Sequence, residues 1–170
     1  IRTAPLATLI RGGAELSADA LPLELDGDRL LGHVARANPL WREANGQPVL
    51  AVFHGVQGYI TPTYYASKAA DGRVVPTWNY AMVQAHGVLR AIEDTAWLEA
   101  FVTRLTDRHE AALPTPWQVR DAPADYVQKL LKAIVGIEIV VTRLEGKFKL
   151  SQNRPPEDRA GVIEGLGAHP

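Results

Sequence analysis

The sequence predicts an α+β protein built on an antiparallel sheet that closes fully or partly into a barrel. In roughly the first half of the chain, short apolar runs alternate with turns rich in Gly, Pro, Asn and Asp. Helical periodicity begins only after Asp94. A parallel sheet would need a helix after each strand, and no helical pattern separates the first five apolar runs.

The first strands are predicted from apolar runs that end at turn signals. Two of them flank the turn Asp26-Gly27-Asp28 and should form a hairpin. We expect Gly55 and Gly58 to interrupt the fourth run, which then continues through Tyr59-Ile60. The four runs are Pro5–Arg11, Leu21–Leu25, Leu30–Ala35 and Val49–Phe53.

The middle of the chain predicts a loop followed by two more strands. Residues Thr61–Gly72 are polar or small and predict the loop. The strands are expected at Val74–Val83 and Gly87–Ile92, with Pro76 at a bulge or an edge.

The later part of the chain predicts two inserted helices. The first has its apolar face at Trp97, Leu98, Phe101, Val102 and Leu105, and Asp94 is its predicted N-cap. The second follows Pro123, with Gly136 as its expected C-cap. A strand over Ile137–Val141, extended by Phe148 and Leu150, and a last short helix opened by Pro155-Pro156 complete the chain.

Composition bounds the possible functions. The chain has 170 residues, a formal net charge of -1 and no cysteine. Such a length fits one domain over residues 1–170, and a near-neutral charge gives no global attraction to nucleic acid or anionic membranes. A chain without cysteine has no disulfides or thiolate sites and fits a reducing compartment, so we expect a cytoplasmic protein with no membrane association.

Several familiar chemistries lack their motifs in this sequence. The five histidines do not show the spacing of a metal site, and Ser67-Lys68 are merely adjacent in the chain. The two glycines of residues 54–58 are not followed by the Lys-Ser/Thr of a phosphate-binding loop. We therefore predict no metal, and the sequence does not identify a catalytic residue.

Four clusters combine polar donors with aromatic rings. Flat aromatic faces beside an amide suit a planar heterocycle, and Arg, Lys and hydroxyl groups suit a phosphate. Each cluster taken alone also fits an ordinary core or surface, but together they favour a phosphorylated planar ligand. They lie at residues 32–39, 59–68, 75–80 and 147–154.

The order of several long strings resembles the PaiB-type family, described as FMN-binding negative transcriptional regulators. The resemblance covers about Pro5 to Leu166. Members of that family begin with a further segment containing Tyr-x-Pro-x-x-Phe, so we expect that an N-terminal segment precedes Ile1. The strings are LxGHVARANPLW, VxAVFHGxQxYITPxYYxSK, VVPTWNY, AIVGIEI and GKFKLSQNR.

The resemblance implies a split β-barrel like those of flavin reductases and pyridoxamine-phosphate oxidases, with FMN held at a homodimer interface. It places Arg36 and Lys68 on the FMN phosphate, with Ser67 as an added donor. His33 and Asn38 would lie near the same site, and Trp78 and Asn79 would border the isoalloxazine ring. Four further residues would close the pocket: Lys149, Ser151, Gln152 and Arg154.

Three functions remain open from the sequence. A flavin-dependent oxidoreductase needs only the cofactor site. A transcriptional regulator that binds DNA directly needs a basic helix, and the helix after Asp94 mixes Arg104 and Arg108 with acidic residues. A haem-binding or haem-degrading split barrel needs an axial ligand, for which His33, His54 and His86 are the candidates.

Overall fold

The computed structural model describes residues 1–13 and 15–168 and contains one seven-stranded sheet, in which the resolved strand pairs are antiparallel. The strand order is β2-β1-β5-β6-β7-β4-β3. The strands are β1 (Leu6–Arg11), β2 (Ser17–Pro22), β3 (Glu24–Asp26), β4 (Arg29–Ala35), β5 (Pro48–Ile60), β6 (Thr77–Ile92) and β7 (Ile134–Lys149).

Helices and two 3₁₀ turns connect these strands. The 3₁₀ turns are Pro62–Tyr64 and Val119–Asp121. The helices are α1 (Leu40–Glu43), α2 (Lys68–Asp71), α3 (Thr95–Glu110), α4 (Ala124–Leu131) and α5 (Pro156–Ala168). Among the described residues, no helix combines the length and the apolar character that crossing a membrane requires.

The two predicted inserted helices are confirmed as α3 and α4. The Oδ1 atom of Asp94 accepts a hydrogen bond of 2.9 Å from the backbone N–H of Trp97, which makes Asp94 the predicted N-cap of α3. The last helix is also confirmed, and α5 is longer than the sequence predicted.

The predicted hairpin is confirmed by the pairing of β3 with β4, in which Asp26 lies opposite Arg29. Strand β2 was not predicted in this form. Its sequence, SADALP, has few apolar residues, so its alternation is weak. It forms because it pairs along its whole length with β1, from Leu6 opposite Pro22 to Arg11 opposite Ser17.

The predicted break between residues 83 and 87 is wrong, because β6 is a single strand of 16 residues. Gly87 lies inside it, where a Cβ atom would overlap the backbone carbonyl of Val140 on the neighbouring β7. The glycine permits this close approach between strands. Strand β5 likewise continues through Gly55 and Gly58 without interruption.

The prediction of Gly136 as a helix C-cap is also wrong. Helix α4 ends at Leu131 with Lys132 as its C-cap, and Gly136 lies in β7. A Cβ atom at this position would overlap the ring of Trp97 on α3. The signal that looked like a helix end is therefore a site where a strand accommodates an aromatic ring.

The chain divides into two compact units. Unit 1 comprises Ile1–Phe53 and Gln84–Leu144, and unit 2 comprises His54–Val83 and the residues from Glu145 onward. Strands β5, β6 and β7 contribute residues to both units, and the one-domain interpretation stays a prediction. Unit 1 contains most of the buried apolar side chains, including Leu9, Leu89 and Ile137, each with no exposed surface.

Unit 2 has a small core beneath α5. Its buried apolar residues are Ile60, Tyr65 and Val162, against which Tyr64 and Leu166 pack. Helix α5 approaches the 3₁₀ turn closely: a Cβ atom on Gly165 would lie 2.7 Å from Cγ of the Tyr64 ring. This contact needs a residue without a side chain, so the helix is fitted to that ring.

Candidate functional site

The structure divides the predicted site residues between the two units, and the first group lies in unit 1. Arg36 follows β4 and uses all three guanidinium nitrogens within the protein. Its Nε donates to the Lys132 carbonyl at 2.8 Å, Nη1 to Glu93 Oε2 at 2.5 Å and Nη2 to the Ile134 carbonyl at 3.3 Å. The predicted phosphate role of Arg36 stays a prediction, and it would require Arg36 to release Glu93.

Asn38 and His33 are also engaged within unit 1. Asn38 donates to Oδ1 of Asp19 at 3.0 Å, and its own Oδ1 accepts from the Leu40 amide at 2.8 Å, at the start of α1. The half-buried ring of His33 meets the Phe101 ring edge-on, with 6.0 Å between centroids. Burial lowers the pKa of His33, so the neutral imidazole is favoured.

The remaining eight predicted residues lie in unit 2, and four of them meet where β6 begins and β7 ends. Lys149 Nζ donates to the Thr77 hydroxyl and, at 2.8 Å, to the Trp78 carbonyl. Asn79 Nδ2 donates to the Ser151 hydroxyl at 3.0 Å, and both side chains are buried. Trp78 stays 55% exposed, so its ring is available for stacking.

The turn after β7 is held in an unusual conformation. Ser151 has a φ of 60°, a left-handed value that is uncommon for a residue other than glycine. Gln152 fixes this turn, because its Oε1 accepts from the Leu150 amide and its Nε2 donates to the Phe148 carbonyl, each at 2.6 Å. Functional sites often contain a residue in an uncommon backbone conformation that surrounding hydrogen bonds hold in place, as Gln152 does here.

Ser67 is joined to a carboxylate that the sequence did not single out. Its backbone N–H donates to Asp158 Oδ1 at 2.9 Å, and its hydroxyl donates to Oδ2 at 2.8 Å. Asp158 lies in the first turn of α5 and is only 1% exposed. The hydrogen bond from the Ser67 amide, with that from its hydroxyl and the charge of Arg154, lowers the pKa of Asp158 and keeps it ionised.

Lys68 and Arg154 carry positive charge in the same unit. Lys68 is exposed and its Nζ lies 3.4 Å from the Thr63 hydroxyl. The guanidinium of Arg154 lies over the ring of Tyr65, 4.5 Å from its centroid. Within the described part of the chain, neither side chain has a carboxylate within 4 Å.

Two buried groups of unit 2 escaped sequence reasoning. The Tyr65 hydroxyl is buried and has no hydrogen-bond partner among the described residues. Asp158 looks like an ordinary acidic residue of a helix N-terminus in the sequence, and 91 residues separate it from Ser67. Only its position next to Pro155-Pro156, which predicted a helix start, could have drawn attention to it.

The segment from Lys149 to Asp158 links the unit 2 residues into one connected set. At one end it contacts Trp78 and Asn79, and at the other it contacts Tyr65 and Ser67. The set provides an exposed indole face, cationic donors that no described carboxylate pairs with, and a buried hydroxyl to which no described residue is hydrogen-bonded. These groups fit a planar ligand that carries a phosphate.

A cleft in unit 1 has a different character. It has a volume of about 490 Å³ and lies between α3, the turn Val119–Asp121 and α4. Its charged wall residues are two carboxylates, Glu99 and Asp107, and one arginine, Arg120, and this excess of negative charge disfavours a phosphate. None of the predicted cofactor residues lines this cleft.

Comparison with known proteins identifies the family. The model of the family described as "Putative FMN-binding domain" matches residues 1–143. An uncharacterised protein of Emericella nidulans is 39% identical in an alignment 164 positions long that covers 81% of this chain and 65% of that protein. The Bacillus subtilis "Protease synthase and sporulation protein PAI 2" is 33% identical over 138 residues, which cover 81% of this chain and 64% of that protein.

A solved structure shares the fold. The FAD and haem binding protein from Mycobacterium smegmatis superposes with a TM-score of 0.67 at 17% identity, covering 99% of this chain and 74% of that one. The predicted split-barrel fold is confirmed. From the family match and the identity to the Bacillus protein, the chain belongs to the PaiB-type family of FMN-binding domains, whose cofactor is FMN.

Proposed function

We propose that unit 2 binds FMN through the connected set along Lys149–Asp158, with the isoalloxazine ring against Trp78 and the phosphate at Lys68. The observation that carries this proposal is the convergence of eight residues, singled out from the sequence alone, on one connected part of the molecule. Bound there, FMN would supply redox chemistry, while the protein binds and orients it.

The proposed roles follow from the charge, exposure and hydrogen bonds of each side chain. Lys68 has an exposed ammonium group that forms no ion pair with any residue the structure describes, which suits a phosphate. Asn79 and Ser151 are buried and hold the start of β6 to the turn after β7, which positions Trp78. Lys149, Gln152 and Arg154 border the ligand on the other side. His33, Arg36 and Asn38 of unit 1 stay proposed contributors, with Arg36 limited by its bond to Glu93.

We propose that a second copy of this chain completes the site. The strands of unit 2 expose several large apolar side chains, which a monomer rarely leaves in water. Tyr59 and Trp78 form an edge-on pair with 6.0 Å between their centroids. The exposed side chains are Val56, Tyr59, Trp78, Phe148 and Leu150. Burial of this surface in a homodimer would also exclude water from the flavin.

A redox role is better supported than direct reading of DNA. Arg104 and Arg108, the arginines of α3, both bind Glu24, at 3.3 and 2.8 Å. The single carboxylate of Glu24 offsets part of their positive charge and holds both side chains against the protein, which disfavours α3 as a DNA-recognition helix. We propose that any negative regulation of transcription by this chain is indirect and depends on its flavin.

The first test is an absorption spectrum of the purified protein after addition of FMN and desalting. The proposal predicts a retained flavin spectrum. A protein that keeps no FMN, or one that shows a haem Soret band instead, contradicts it. Lys68→Met and Trp78→Ala should then weaken FMN, whereas Lys129→Met, which removes an exposed lysine from α4 in unit 1, should not.

The homodimer is tested by light scattering. Phe148→Ser should shift the mass toward that of one chain, because it removes an apolar contact from the proposed interface. Leu16→Ser is the matched control, since Leu16 is 82% exposed but lies in unit 1. A wild-type chain that stays monomeric in the presence of FMN contradicts this part of the proposal.

A further inference from the structure

The buried pair Ser67–Asp158 restricts what Ser67 can bind. A serine hydroxyl has one proton to donate and two lone pairs that accept. In unit 2 the hydroxyl donates that proton to Oδ2 of Asp158 at 2.8 Å, and the backbone N–H of Ser67 donates to Oδ1 at 2.9 Å. The hydroxyl is left with lone pairs for any further partner.

Asp158 makes this arrangement stable. The carboxylate is 1% exposed and has no Lys or Arg nitrogen within 4 Å among the described residues, so the hydrogen bonds it accepts stabilise its charge directly and Arg154 acts only from a greater distance. Turning the Ser67 proton away would leave one oxygen of a buried anion without that bond, which is costly. The lowered pKa of Asp158 is consistent with a carboxylate that stays ionised at neutral pH.

The same charge disfavours a phosphate at Ser67. A phosphate oxygen and the Ser67 hydroxyl oxygen would face each other with lone pairs and no proton between them. The negative charge of Asp158, which is bonded to that hydroxyl, would also repel the phosphate. A ligand group that carries an N–H or O–H is the complementary partner. Lys68, the next residue, has an ammonium group with no carboxylate partner in residues 1–13 and 15–168, and it is suited to the phosphate instead.

We propose that Asp158 fixes Ser67 as a hydrogen-bond acceptor, so that Ser67 binds an N–H or O–H group of the flavin and not its phosphate. This inference rests on the proposed FMN site of unit 2. It makes Ser67 a contact residue and Asp158 a positioning residue that acts through it. It also replaces the added-donor role that the family resemblance suggested for Ser67.

The test compares FMN with riboflavin, which is the same flavin without the phosphate. Dissociation constants are measured from the quenching of flavin fluorescence. Ser67→Ala should weaken both flavins by the same factor, about two- to tenfold, as expected for the loss of one neutral hydrogen bond. Lys68→Met should weaken FMN by about tenfold or more and leave riboflavin unchanged, because a charged bond to the phosphate is lost.

Asp158→Asn provides a second variant that keeps the size of the side chain. An amide at this position donates toward the Ser67 oxygen and turns the hydroxyl into a donor, so both flavins should again weaken together. The matched control is Glu157→Gln, an exposed neighbour in the same helical turn, which should change neither. Hydrogen exchange of the Ser67 amide in the flavin-free protein should accelerate in Asp158→Asn but not in Glu157→Gln.

The outcomes are distinguishable. If Ser67→Ala or Asp158→Asn weakens FMN alone, Ser67 contacts the phosphate and the inference is wrong. If both variants bind both flavins like the wild type, Ser67 is no contact and the inference is again wrong, although the flavin site stands. If the wild-type chain binds neither flavin, the proposed function itself fails, and this inference fails with it.

Discussion

The two units of this chain bury different kinds of side chain. The buried apolar residues lie mostly in unit 1, whereas unit 2 contributes Ile60, Tyr65 and Val162. Beside them unit 2 buries three polar side chains, Asn79, Ser151 and Asp158, which join its segments by hydrogen bonds, whereas unit 1 buries one, Glu138, among its many apolar residues. Unit 1 is therefore stabilised by packing, and unit 2 is organised by directional contacts.

The charges follow the same division. Unit 1 contains several ion pairs, such as Arg11–Glu43 at 2.5 Å and Arg108–Glu24 at 2.8 Å. In the described part of unit 2, Lys68 and Lys149 bond to hydroxyl and carbonyl oxygens and to no carboxylate. Both lysines, which no described carboxylate pairs with, therefore lie in the unit where the buried polar side chains are also connected. An anionic ligand requires such an arrangement.

The largest effect is expected from the core of unit 1. Ile137→Ala should lower the free energy of unfolding by about 2–5 kcal/mol, because it leaves a cavity at a side chain with no exposed surface. Denaturant unfolding measures this change. Ile163→Ala on α5 of unit 2, where the side chain is 75% exposed and lies outside the proposed dimer surface, should stay within about 0.5 kcal/mol of the wild type. Equal losses for the two variants would remove the contrast between the units.

Replacing one cationic side chain in each unit should separate the effect on FMN binding from the effect on folding stability. Lys68→Met is expected to weaken FMN by about 1.5–3 kcal/mol with little change in unfolding. Arg108→Met should do the reverse: FMN binding is unchanged, and stability falls by about 0–1 kcal/mol, since the pair with Glu24 is partly exposed. Isothermal titration with FMN and thermal unfolding of both variants test this, and loss of FMN affinity in Arg108→Met would contradict it.

The docking of α5 depends on Gly165. A methyl group there overlaps the Tyr64 ring, so Gly165→Ala should destabilise the protein by about 1–3 kcal/mol through overpacking. Gly167→Ala in the same helix has open space and should be neutral or slightly stabilising, as alanine favours helix. Proteolysis of the C-terminal segment and thermal unfolding compare the two. A stable Gly165→Ala protein would show that this helix does not rest on the ring.

The smallest effect concerns pH. Because the folded-state pKa of His33 lies below its ordinary value, the unfolded chain binds a proton more readily than the folded one. This contribution to stability is complete above the ordinary pKa of about 6.5 and is lost as pH falls through the folded-state pKa. His33→Gln should reduce the loss of stability between pH 7 and pH 5, while His109→Gln, at an exposed position, should not.

Much of this fold could be predicted because its signals are local. The N-cap Asp94 and the turn at residues 26–28 lie next to the elements that they delimit. The errors arose where a distant residue decides the structure. Gly87 and Gly136 resemble breaks in the sequence, and both are needed because Val140 and Trp97 approach them from other elements.

The site shows the same limit. Exposed residues such as Trp78 and Lys68 could be named from their types and from the family resemblance. Asp158 could not, because its importance comes from burial against Ser67, and nothing near it in the chain reveals that contact. Likewise, the sequence does not indicate that the guanidinium of Arg36 forms an ion pair with Glu93.

The contact between Asp158 and Ser67 also affects when the flavin site can form during synthesis of the chain. It closes a loop of 91 residues, and such contacts form late because the entropy of loop closure must be overcome first. The early strands can pair while α5 is still inside the ribosome, but this bond cannot form until α5 has emerged. We therefore expect flavin loading to follow synthesis, and ribosome-stalled chains that end before Pro155 should retain no FMN even when supplied with it.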